Sequence, residues 1–60
     1  MEGRDLPPMK FVMAYRNWAI YIAIVMVGAK YYVRETGKSE YVGPFVSRKD
    51  TKAFINHMSR

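Results

Sequence analysis

Trp18-Ala19-Ile20-Tyr21-Ile22-Ala23-Ile24-Val25-Met26-Val27-Gly28-Ala29 is a run of twelve residues without a charge, and Tyr21 carries its only hydroxyl. Read as a helix, the run is apolar all the way round. Ile20, Ile22, Ile24 and Val25 point in different directions at about 100° per residue, so no polar face remains. Such a helix must be enclosed by protein or by lipid. The chain has 60 residues, and the 48 outside the run are too few to enclose it, because a chain of this size buries little surface. The run is therefore expected to be the core of a single transmembrane helix.

Twelve residues at helical rise reach only about 18 Å, against a hydrocarbon layer of about 30 Å. The flanks lengthen the span. Phe11-Val12-Met13-Ala14-Tyr15 precedes it with Arg16-Asn17 between, and Lys30-Tyr31-Tyr32-Val33 follows. Tyr15, Trp18, Lys30, Tyr31 and Tyr32 form a candidate interface belt, with ring bodies and a lysine stem in lipid and their polar ends in water. From Tyr15 to Tyr32 a helix covers about 25 Å. The whole helix is expected over 9–36, with Pro7-Pro8 before its first turn, Asp5 as a cap and Gly37 as the stop. The expected class is all-α in one unit: a lead at 1–8, the spanning helix at 9–36, a loop at 37–47 and a tail at 48–60. Within that tail Ser47 and Asp50 resemble a capping box. They open a short amphipathic helix over 48–58, with Phe54, Ile55 and Met58 at helical spacing.

Ala19, Ala23 and Gly28 are a loose small-residue pattern that would let a partner helix approach, and Arg16 and Asn17 are polar groups that would face it. The alternatives are lipid-facing alanines and simple headgroup contacts. Ten Lys and Arg against five Asp and Glu leave a net charge of +5. Three of the basic residues precede the span and seven follow from Lys30 onward, which places the C-terminal side in the cytoplasm or the matrix. Without cysteine there is no disulfide framework and no thiolate metal site. The lead is neither a secretory signal nor a transit peptide, since Glu2 and Asp5 are acidic and no apolar region follows at once. His57 is the one histidine, and it has no carboxylate partner in the pattern. No catalytic residue, metal ligand or cofactor site is expected. Lys10, Tyr15, Arg16 and Trp18 read as part of the interface belt rather than as a nucleic-acid patch.

A retained N-terminus, one imperfect span and a basic tail resemble the small accessory subunits of mitochondrial inner-membrane complexes. Within that group the chain is most similar to the i/j-type (6 kDa or 6.8 kDa) subunits of the ATP synthase membrane sector. The matching residues are Pro7-Pro8, Arg16-Asn17-Trp18, Gly28, Gly43-Pro44-Phe45-Val46 and Phe54-Ile55-Asn56. Ala19 stands where those subunits usually carry proline. Val27-Gly28-Ala29-Lys30-Tyr31-Tyr32 also looks like a complex I accessory subunit. The resemblance implies a single-pass, non-catalytic role in assembly, stability or dimerisation of an inner-membrane complex. Its partners would be larger membrane subunits and lipid, including anionic lipid such as cardiolipin, without nucleic acid or a small-molecule substrate. Pro44, Phe45, Phe54 and Ile55 would then dock the tail. Two other classes are a single-span regulatory peptide of a transporter and a basic ribonucleoprotein component.

Overall fold

Residues 18–23 form a strand. Trp18, Ile20 and Ile22 fall on one face and Ala19, Tyr21 and Ala23 on the other, large against mostly small. β-Branched and aromatic side chains favour that conformation. The computed structural model describes residues 7–25 and 27–60. It contains β1 (Met9–Tyr15), β2 (Trp18–Ala23), β3 (Tyr31–Glu35), β4 (Val42–Phe45) and α1 (Arg48–Met58). The strands form one antiparallel sheet in the order β1-β2-β3-β4, and α1 packs on one face of it.

The register aligns the apolar set. Met13 pairs with Ile20 and Tyr15 with Trp18. Ile20 pairs with Val33 and Ile22 with Tyr31, and Tyr31 pairs with Phe45. Trp18, Ile20, Val33 and Ile55 form the buried core, with Val12, Met13, Tyr15, Tyr31, Phe45 and Phe54 packed around it. β4 is an edge strand, which suits Pro44, a residue with no N–H to give to a ladder. The Gly43–Pro44 peptide is cis.

The helix over 9–36 is thus corrected to three strands and their connections. Arg16 and Asn17, at φ 49° and 70°, make a two-residue hairpin turn between β1 and β2. Positive φ at both positions matches the right-handed twist of the flanking strands and cannot occur within a right-handed helix. Gly28 at φ 80° lies in the β2–β3 loop and interrupts the expected span a second time. The enclosure argument fails for a physical reason. A strand needs cover on one face only, and one short helix supplies it here. Among the described residues no helix is long and apolar enough to cross a membrane. Pro7 and Pro8 lead into β1, and the Pro8 carbonyl accepts from Ile24 N–H at 3.2 Å. Asp5, expected as a cap, lies outside the described residues.

Helix α1 occupies 48–58. Ser47 is its N-cap, with extended φ −143° and ψ 167°, and its Oγ accepts from Asp50 N–H at 3.2 Å. Thr51 and Ile55 are buried on the sheet side. The Thr51 hydroxyl donates to the Arg48 carbonyl at 2.6 Å, so the buried oxygen is satisfied.

Candidate functional site

The hydrogen bonds at one end of the sheet fix a protruding loop. Ala23 N–H donates to the Lys30 carbonyl at 2.8 Å and Lys30 N–H to the Phe45 carbonyl at 2.9 Å. These bonds tie the end of β2, the start of β3 and the end of β4 together. Ile24 N–H still reaches the Pro8 carbonyl, and beyond it the chain leaves the ladder, with Gly28 supplying a left-handed turn. The side chains it carries outward are apolar: Ile24 is 63 % exposed, Val25 69 % and Val27 94 %. Val46, next to Phe45 at the same end, is 65 % exposed. Scattered exposed apolar residues are ordinary, but several at one end of a sheet suit an interaction surface.

Cations surround that tip. Lys10, exposed, pairs in register with Ile22. Lys30 closes the loop, and Arg48 and Lys49 open α1, which begins at this end after Val46 and Ser47. Asp50 is the one described carboxylate nearby, in the first turn of α1. Glu35 and Glu40 lie at the opposite end, around the β3–β4 connection, where Lys38 Nζ is 3.5 Å from Glu35 Oε1.

The sheet face away from α1 carries an aromatic cluster. Tyr21 meets Phe11 edge-on at 5.8 Å and Tyr41 edge-on at 5.4 Å. The Arg34 guanidinium lies 5.8 Å from the Tyr21 ring centre and 5.5 Å from that of Tyr41. Its Nη2 donates to the Tyr21 hydroxyl at 3.1 Å and its Nη1 to the Lys38 carbonyl at 3.2 Å. The hydrogen bond to the Tyr21 hydroxyl, with a smaller electrostatic contribution from the same side chain, holds the Arg34 pKa above its ordinary value, against some desolvation. Buried Arg34 Nε makes no hydrogen bond among the described residues. The contacts run within the chain and clamp the β3–β4 connection onto the sheet. A hollow of about 100 Å³ is lined by Trp18, Glu35, Lys38, Glu40 and Val42. No group of three or more potential metal ligands occurs among the described residues.

The residues expected to touch a partner helix occupy different places. Arg16 and Asn17 form the hairpin turn, and Arg16 Nη1 donates to Asn56 Oδ1 at 2.8 Å. Ala19 and Ala23 share the face opposite α1, with Ala23 fully buried, while Gly28 is in the loop with open space around it. The expected belt is split as well. Trp18 and Tyr32 are buried, Tyr15 donates to Asn56 Oδ1 at 3.0 Å, and Lys30 and Tyr31 stand at the loop end. Phe45, Phe54 and Ile55 do come together, but within the chain: Phe54 lies 5.3 Å from Phe45 and 5.5 Å from Trp18. Pro44 is exposed on β4. The apolar tip was missed because Ile24–Val27 merged with β2 into one run. The available signal is Gly28, which follows the four apolar residues after Ala23.

The geometry defines a small antiparallel sheet-and-helix chain with an apolar, cation-rimmed end. In comparisons with protein families, curated proteins and solved structures, nothing matches it.

Proposed function

We propose that this chain is a non-catalytic attachment module that binds a membrane surface from one side through its β2–β3 loop. The observation that carries the reading is Val27, 94 % exposed, with the exposed Ile24 and Val25 before it in the connection between two tied strand ends. A convex tip of this kind suits the disordered acyl boundary of a bilayer, which receives protruding side chains without a matching groove. Burying a Val or Ile side chain gains about 1.5–3 kcal/mol, so three give about 5 kcal/mol before the cost of ordering the loop. That supports reversible attachment. The single-pass form of the ATP synthase accessory role rests on a span, and among the described residues no helix is long and apolar enough to form one.

Vesicle flotation tests the reading. The full chain is expected to float with liposomes. Ile24→Asp with Val27→Asp is expected to cut the bound fraction at least about tenfold. The fold should survive, because neither side chain belongs to the core. Unchanged flotation of a folded double variant would remove the tip from the account. Concentration-dependent dimerisation abolished by Val27→Asp, without flotation, would place a second copy on the tip and overturn the membrane reading.

A further inference from the structure

The attachment reading leaves the kind of bilayer open, and the rim of the tip answers it. We infer that this end recognises anionic lipid headgroups and seats the chain end-on, with Lys10, Lys30, Arg48 and Lys49 at the level of the phosphates. The inference rests on the attachment reading and adds the lipid class and the orientation.

The layers follow from the chain's own geometry. Lys30 is held at the strand end by its backbone bonds to Ala23 and Phe45, whereas Val27 lies three residues further out in the loop. Val25 and Val27 therefore lie beyond the last bonded residues, with Ile24 beside Pro8 and the cations behind them. That is the order of acyl chains and headgroups met from outside. Lysine and arginine suit the second layer because their stems lie along apolar surface while the charge stays in water. Sign complementarity is local. Four cations and one described carboxylate, Asp50, lie at this end, whereas Glu35 and Glu40 lie at the other. A basic residue near an anionic membrane strengthens binding by about fivefold, and the effect fades within a Debye length of about 8–10 Å. Contributions from Arg16 and Lys38, at the far end, are then screened.

The experiment uses the full chain with vesicles of phosphatidylcholine alone or mixed with phosphatidylserine, at low and at high salt. Binding is expected to rise on the mixed vesicles and to fall back with salt. Lys10→Gln with Lys30→Gln, and separately Arg48→Gln with Lys49→Gln, should each weaken binding to mixed vesicles by about twenty-fivefold. Both should leave the weak binding to phosphatidylcholine as it was. Arg16→Gln with Lys38→Gln removes the same charge from the far end and should change binding less than about twofold. Equal binding to the two vesicles, or tip pairs without effect, overturns the anionic inference and leaves apolar attachment standing. A far-end pair as damaging as a tip pair overturns the orientation, since net charge alone would then be acting. No binding to either vesicle overturns the inference and the attachment reading together.

Discussion

At Gly43 the backbone has φ +149°, and a Cβ there would stand 2.7 Å from the Tyr31 carbonyl oxygen and 3.0 Å from the Tyr32 ring. The carbonyl belongs to β3, so relief requires the two strands to part. Gly43→Ala is expected to destabilise the chain by about 1–3 kcal/mol, read as a lower urea midpoint by Trp18 fluorescence. A midpoint within error of the parent would show that β4 shifts freely. Gly43-Pro44 was legible as a break, but the sequence pattern did not reveal that the break lies inside an edge strand. Asn17 carries the opposite lesson. At φ 70° in the hairpin turn it holds a conformation that glycine adopts without cost. Asn17→Gly should therefore be neutral or stabilise by up to about 1 kcal/mol, whereas Asn17→Val should cost about that much or more. Stability moving the other way for the pair would exclude the turn.

Among the elements, α1 was legible and the strands were not, and the difference is physical. Helix α1 declares itself through a local device, Ser47 accepting from Asp50 N–H, together with Phe54 and Ile55 on one face. Both signals sit within a few residues of each other. Ser47→Ala removes the cap and is expected to cost about 0.5–2 kcal/mol in urea unfolding. A smaller loss would mean that the sheet alone holds the helix start. β2 depends on distant chain: its partners Met13 and Val33 lie on other strands, and an apolar run of mixed Ile, Val and Ala fits both periods. The turn residues Arg16-Asn17 and the aromatic and β-branched residues Trp18, Ile20, Tyr21 and Ile22 were the available clues. Their polar and apolar character alone suggested a membrane boundary instead.

For the molecule as a whole, one sheet face is covered by one helix, and among the described residues the largest fully buried side chains are Ile20, Ile55, Val33 and Thr51. A core so small has little reserve, since domains of this size rarely hold more than about 3–5 kcal/mol. Ile20→Ala should cost about 2–5 kcal/mol and leave much of the chain unfolded at room temperature. A cooperative transition at the parent's midpoint would disprove the core assignment. Far-ultraviolet circular dichroism provides the wider check. A strand-dominated spectrum is expected, since among the described residues helix is limited to the eleven residues of α1. A spectrum of mostly helix would reject this architecture. The apolar tip and its cationic rim were legible only as composition. The sequence showed hydrophobic residues and lysines, while their gathering at one end required the return of three strands to that end.

The strand order equals the chain order. Each strand meets a neighbour that has already been synthesised, so pairing can advance in step with translation and needs no long loop to close. Helix α1, which follows the strands in the chain, reaches back across the sheet, where Asn56 receives Tyr15 and Arg16 from some forty residues earlier. Until it does, Trp18 and Ile20 face the solvent on an otherwise finished ribbon. A chain with its four strands paired but its helix not yet seated thus exposes the kind of apolar surface through which partly folded chains aggregate.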